Sequence, residues 1–281
     1  MRIVKRILVG LAAVILVCVV VLYAGSQWVL SAGHSTPDIA IAVPKDAAAI
    51  AEGGRLARVM GCRDCHAPDG QGTVLVQDPM LGTLAPPALA RIAPDYSDNQ
   101  LARAIRYGVR HDGTTLWVMP SAAYAFIADD DLGKIVGWIR TLKPGPGDSL
   151  ATTRFGPVGR GLVLGGIFPP SAHRSNVAQK TRPAAVGQYF TDTVCMGCHV
   201  MNASRPSDDG KQIVPPLAQV TAAYDLPNFR RLMRTGQGMS PKDLGMMRTA
   251  AVGGLRYFTD AEIDAIHAYL VAEHARLSGG K

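Results

Sequence analysis

The chain has 281 residues, 48% of them hydrophobic and 18% charged, enough for one large domain or two small ones with a core of their own. Its formal net charge of +7 is unevenly spread: Arg2, Lys5 and Arg6 precede the first acidic residue, Asp38, and the remainder carries 26 basic against 22 acidic groups. That excess is mild and no basic cluster with interleaved aromatics accompanies it, so the composition argues against nucleic acid as a partner.

The three leading charges run into an uncharged apolar stretch from Ile7 to Ala24, 18 residues long. A spanning helix needs roughly 20 residues (about 17–25), whereas the apolar part of a secretory signal is about 7–15. The run therefore predicts a single-pass anchor over residues 1–33. Its positive flank stays in the cytoplasm, Tyr23 and Trp28 sit at the outer interface, and everything beyond about residue 30 is delivered outside. A removed signal peptide is the alternative, since Ala24 and Ser26 form a small-x-small site before Gln27. Cys18, in mid-run, reads as a membrane-buried thiol.

Four of the five cysteines fall in two units, "CRDCH" (Cys62, Cys65, His66) and "CMGCH" (Cys195, Cys198, His199), 133 residues apart. Zinc pairs typically lie about 12–20 residues apart, and a redox C-x-x-C has no general need of an adjacent histidine. In C-x-x-C-H each cysteine adds across a haem vinyl group and the histidine becomes an axial iron ligand, so tether and ligand must be neighbours. Two covalently bound haem c groups are the expectation.

An internal repeat points to the sixth ligand. "PPAL" (86–89) has its counterpart in "VPPL" (214–217), and "LARAIRYG" (101–108) in "FRRLMRTG" (229–236), at a common offset of 128. At that offset Met119 falls on Met247, each 11 residues past its glycine. Met119 lies in "WVMPS", predicted as a loop, and its sulfur would complete a Met/His pair. Met247 is favoured by register, with Met246 and Met239 as rivals, and the other methionines read as core.

Ser97 with Gln100 forms a capping box for a helix ending at Gly108, and Thr259 with Glu262 forms another before the last helix. "ADDDLGKIVGWIRTL" and "TDAEIDAIHAYLVAEH" are corresponding closing helices, with Trp138 matching Tyr269. The pattern helix, attachment loop, helix, methionine loop, closing helix thus occurs twice. His34, His111, His173, His267 and His274 read as solvated or capping groups. Arg106 and Arg234 are equally readable as haem-propionate partners or as exposed helix residues.

With these motifs in place, both halves resemble class I cytochrome c domains, over about residues 48–143 and 184–276, with 144–183 a Gly- and Pro-rich linker expected to pack across both. The resemblance implies an all-α fold, an N-terminal transmembrane helix followed by two such domains. It also implies that Gly54 and Gly187 allow the first and last helices to cross closely, and that the Pro87 and Pro215 carbonyls orient the histidines. The turns "YGVRHDGTTLWVMPS" and "LGMMRTAAVGGLRYFTDAEI" are similar to anchored multihaem cytochromes of proteobacteria, among them the cytochrome subunits of periplasmic dehydrogenases. The chain departs from the best-known of these in having two haem motifs rather than three, and in Arg248 rather than proline after the second methionine.

The resulting expectation is a non-enzymatic electron carrier on the periplasmic face of a bacterial inner membrane. Cys62, Cys65, His66, Met119, Cys195, Cys198, His199 and Met247 hold its haems, and its redox partners are a dehydrogenase, a cytochrome or an oxidase. Two alternatives stand beside it: a dihaem enzyme, peroxidase or thiosulfate-oxidising, with one open iron, and a fixed subunit of a terminal oxidase.

Overall fold

The computed structural model describes residues 2–175, 178–207 and 210–279. It opens with α1 (Arg2–Leu30), a single helix whose most apolar window has a mean hydropathy of 3.1 and is not buried against the rest of the chain, so by length and composition it can cross a membrane.

The first repeat starts at Asp46, whose carboxylate accepts the Ala49 N–H at 2.8 Å and caps α2 (Ala47–Val59). Gly61, in the left-handed region, turns the chain into α3 (Cys62–His66), so the attachment segment is a short helix rather than a loop. The longer loop of this half folds into a hairpin, β1 (Val76–Asp78) and β2 (Gly82–Leu84). Its turn is set by Asp78, which accepts from the Met80 and Leu81 amides. Then come α4 (Leu89–Ile92), α5 (Asp98–Tyr107) and α6 (Asp129–Thr141). Both arms of the Ser97–Gln100 capping box are made, and α5 ends on left-handed Gly108.

The linker is ordered against the first half. β3 (Arg154–Phe155) adds to β2, and α7 (Pro157–Leu164), with proline in its first turn, lies against the outer end of α1. Farther on, Ser171 N–H bonds Leu116 O, Ala172 N–H bonds Thr115 Oγ1, and His173 N–H bonds Tyr107 O. The expected packing across both domains is confined to the linker's last residues, around Arg182. His173, expected to be solvated or capping, accepts the Ser175 N–H on Nδ1 at 3.2 Å and sets its ring edge-on to Tyr107.

The second half contains α8 (Val186–Thr193), a two-stranded ribbon of β4 (Arg205–Pro206) and β5 (Ile213–Val214), α9 (Leu217–Ala222), α10 (Leu226–Thr235), α11 (Met246–Gly253) and α12 (Asp260–Gly279). The fold is helical throughout apart from these short strands. Each half is closed by its first and last long helices, α2 on α6 and α8 on α12. The two halves share one core, in which Leu56, Ile135 and Trp138 are continuous with Tyr189, Phe190, Phe258 and Ile266.

Glycine governs both crossings, with one correction to the expected assignment. A Cβ on Gly187 would lie 2.1 Å from Ala265 O and 2.9 Å from Tyr269 Cβ, so one glycine serves both contacts. In the first half the backbone approach falls on Gly53, where a Cβ would meet Lys134 O at 1.9 Å, and Gly54 only makes room for the Trp138 ring at 3.0 Å. A backbone carbonyl cannot swing aside as an indole edge can. Gly53→Ala should therefore destabilise the protein by about 3 kcal/mol, the upper end of the usual overpacking cost. Gly54→Ala should cost less than ~1 kcal/mol, because alanine's helix propensity offsets the contact. Denaturant unfolding of the two variants measures the difference, and equal losses would contradict the assignment.

Candidate functional site

In the first half, α3 holds Cys62, Cys65 and His66 on one short turn beside the core. His66 Nδ1–H donates to the Pro87 carbonyl at 2.9 Å. A carbonyl only accepts, so Nδ1 carries the proton and the lone pair is left on Nε2, the nitrogen suited to a metal. Burial keeps this imidazole below its ordinary pKa and hence neutral. In the second half Cys195 opens a 3-10 turn, and His199 Nδ1–H donates to Pro215 O at 3.2 Å. Burial, with the charge of Arg205 added, lowers the His199 pKa as well.

The cysteines do not behave as a redox pair. None forms a disulfide, and burial pushes Cys62 and Cys195 up to about 12. A catalytic C-x-x-C needs its first thiol depressed toward neutrality. Among the described residues no three His, Cys, Asp or Glu side chains gather as a metal-binding group. The donor set instead fits a tethered macrocycle: two cysteines outside any disulfide and one neutral, aimed imidazole, given twice.

In the same half, Met119 is half-buried against that core. Its backbone is tightly constrained. Val118 adopts φ 73°, and Pro120 restricts Met119 itself to extended conformations. Among the described residues only Val118 and Ala67 combine positive φ with a side chain, so the strained positions directly precede Met119 and directly follow His66. Backbone strain of this kind persists only where surrounding structure enforces it. The linker supplies that enforcement: Trp117 stacks on Phe168 (centroids 6.0 Å, 13°) and meets Phe155 edge-on at 5.4 Å.

The second methionine is presented differently. Of its three candidates, Met239 and Met246 are exposed, and Met247 packs against the core. Met247 lies in the first turn of α11 rather than in the expected loop. Proline after Met119 forbids a helix there, whereas Arg248 after Met247 permits one. Cys198 is exposed as well, so this site is the more open of the two.

Arg106 and Arg234, readable as propionate partners or as exposed helix residues, are both engaged within the protein. Arg106 is buried, donates to Ile127 O at 2.7 Å and pairs with Asp129 at 2.7 Å. Arg234 repeats this with Phe258 O (2.6 Å) and Asp260 (2.6 Å), and also reaches Arg256 O. Each arginine clamps the start of its closing helix to the helix that carries it, α5 or α10.

A charged cluster with no local signal in the sequence joins the two halves. Fully buried Asp131 accepts from Arg182 Nε (2.7 Å), Arg182 Nη2 (2.9 Å), Lys134 Nζ (2.9 Å) and Tyr189 OH (2.9 Å). Arg182 extends to Glu52 (3.1 Å), which with Glu262 brackets Arg55. Glu262 also caps α12 through Thr259. Burial acts to raise the pKa of Asp131, but the hydrogen bonds from Arg182 and Lys134 outweigh it and hold the carboxyl below its usual value. Glu52 is lowered in the same way, against burial, by Arg55 and Arg182.

Comparison with known proteins identifies these features together. The cytochrome c family model matches residues 50–143 and 184–272, each region containing one attachment unit. Over 264 residues the chain is 28% identical to the fructose dehydrogenase cytochrome subunit of Gluconobacter japonicus, covering 83% of this chain and 54% of that protein. Over 260 residues it is 24% identical to the gluconate 2-dehydrogenase cytochrome c subunit of Pantoea cypripedii, covering 79% and 59%. The chain thus spans between half and three-fifths of the length of these relatives.

Because Asp131 and Glu52 titrate lower in the folded state than in the unfolded chain, their stabilisation is complete above about pH 4.5 and lost as pH falls through the folded values. Arg182→Met should cost about 2–3 kcal/mol at neutral pH. This is less than the ~3–5 for stranding a buried charge outright, since Lys134 and Tyr189 remain. The deficit should shrink below about pH 4. Denaturant titrations of wild type and variant at several pH values test this, and a deficit constant with pH would refute it.

Proposed function

The chain belongs to the cytochrome c family, and from that premise we propose that it is a membrane-anchored dihaem electron carrier that accepts electrons from a periplasmic dehydrogenase and passes them to a downstream cytochrome or oxidase. The observation that carries the reading is the twofold constellation: C-x-x-C-H, a histidine fixed by a proline carbonyl, and a core-facing methionine at matching register. In this reading Cys62 and Cys65, and Cys195 and Cys198, tether the two haems by thioethers. His66 and His199 are the imidazole ligands, and Met119 and Met247 the sulfur ligands. Haem c supplies an iron that cycles between ferric and ferrous states, and thioether sulfur favours the latter. The protein's part is to close the sixth position and to fix the two sites relative to each other.

The dehydrogenase partner is supported by the relatives, both cytochrome subunits of dehydrogenases of sugars or sugar acids. Retention of the N-terminal helix is supported by its contacts with the folded domains. Arg160 donates to Ser26 Oγ at 2.9 Å and to Gln27 Oε1 at 3.3 Å, His34 N–H bonds Gly113 O, and Ser26 is fully buried. Cleavage after residue 26 would remove Ser26, together with the Tyr23 ring over which the Arg160 guanidinium lies.

One observation favours a second reading, a catalytic haem in the second half: Met247 sits in the first turn of a helix, without the following proline that constrains Met119. Carbon monoxide separates the two. If both methionines are ligands, the reduced wild type binds little carbon monoxide, and Met119→Ala and Met247→Ala each bind one equivalent. Each variant also lowers one midpoint potential, within the roughly 0.8 V that axial ligands command. Stoichiometric binding to one iron of the wild type would overturn the carrier and support the enzyme. A mass equal to that of the bare polypeptide, after export with haem-maturation machinery, would end both.

A further inference from the structure

Helix α7 is tied to the outermost turn of the apolar helix. Gly161 faces Leu22, a Cβ on Gly25 would lie 3.1 Å from Leu164 Cδ1, and the Arg160 guanidinium stacks over Tyr23 at 5.0 Å. On its other side, Gly159 sits close under Leu81 O and Val163 is buried, so α7 is wedged between α1 and the first domain. The chain then turns at Gly165 and Gly166, the latter at φ 69°, and the Ile167 and Phe168 amides both bond Leu162 O. Phe168 turns inward to Trp117, which leaves Ile167 75% exposed, with Val158 and Leu164 also open.

These exposed apolar side chains lie on a segment with no charged residue between Arg160 and Arg174. A protein interface carries a polar rim around its apolar centre, and this stretch has none. Its level is fixed independently, beside Leu22–Gln27, where an apolar run ending at Ala24 would leave the bilayer core. At that level the surrounding medium is the boundary between headgroups and acyl chains, where short apolar elements with a flanking arginine settle.

We propose that residues 157–168 form a second membrane contact, with Ile167, Leu164 and Val158 entering the outer leaflet beside α1 and Arg160 held at headgroup level. The proposal rests on the reading of α1 as a retained anchor. A lone helix leaves the attached domains free to swivel about its axis. Two contacts define a plane, so the segment fixes which faces of the haem domains look toward the membrane and which toward partners. The same linker buttresses Trp117 and hence the Met119 segment, so membrane contact and ligand loop belong to one rigid piece.

The test uses the full-length holoprotein in phosphatidylcholine vesicles on a Cys18→Ala background, the haem cysteines being blocked as thioethers. Nitroxide labels are placed singly at Ile167→Cys, at Val14→Cys within α1 and at Leu150→Cys, a residue 76% exposed elsewhere on the linker. Accessibility to oxygen and to a water-soluble nickel chelate is read by spin-resonance power saturation. The expected result is an oxygen-to-nickel ratio at position 167 several-fold above that at 150 and near that at 14. A water-like ratio at 167 with a lipid-like ratio at 14 overturns the proposal and leaves the anchor standing. Low access to both agents at 167 indicates a protein contact and also overturns it. Water-like ratios at both 14 and 167 mean that the anchor reading has failed.

Discussion

Everything in each half is arranged around one hydrogen bond, from a histidine Nδ1–H to a proline carbonyl. The bond fixes the tautomer and the ring plane together, and it works because proline's own backbone nitrogen has no hydrogen and its φ is locked. His66 lies 21 residues before Pro87 and His199 lies 16 before Pro215, yet the geometry is the same. The difference is absorbed by the β1–β2 hairpin, an insertion that leaves the bond untouched. A side-chain site built this way tolerates changes in loop length, because its two ends are fixed by the core rather than by the connecting chain.

The duplication kept what is local and let vary what depends on remote support. Attachment turn, proline carbonyl and arginine clamp are made within each half by residues at corresponding positions, and the glycine crossing by neighbouring ones. The methionine segments diverge. Met119 sits on a strained, proline-interrupted stretch that cannot hold itself, so the linker's aromatic residues press on it from outside. Met247 stands on a helix, which satisfies its own backbone hydrogen bonds and needs only the nearby α10 to lean on. Left-handed Gly236 makes that approach possible, since a Cβ there would lie 2.7 Å from Arg248 Cα. A single residue, proline or arginine after the methionine, decides between the two solutions.

Periodicity and short-range chemistry carried much of this in the sequence. Capping boxes, closing helices, the αL glycine after α5 and the apolar N-terminal run are all determined by residues within a few positions of one another, and they formed where their patterns placed them. What was not legible depended on partners far along the chain. Arg106 and Arg234 have the chemistry to bind a propionate, and only the folded chain shows their guanidinium groups taken up by carbonyls and aspartates. Gly53 and Gly54 are adjacent, and which of them meets a backbone carbonyl depends on the rotation of α2 against α6. Arg182 stands in an unremarkable "TRP", with nothing nearby to announce that it reaches Asp131, 51 residues away.

That arginine explains how two copies of a small unit become one body. The apolar contact between the halves, α8 against residues 123–126 and residues 255–257 against α2, supplies adhesion but is not directional. A guanidinium fork is different, because its donors match carboxylate oxygens only in particular orientations. Arg182 carries that constraint from the linker to Asp131 and Glu52 in the first half. Arg55 carries it to Glu262, and Tyr189 returns it by donating to the same Asp131. Rotating one half against the other would leave several of these charges buried and unpaired at once, which costs far more than the apolar contact would lose. Burial supplies the adhesion between the two halves, and the charged groups set the angle at which they meet.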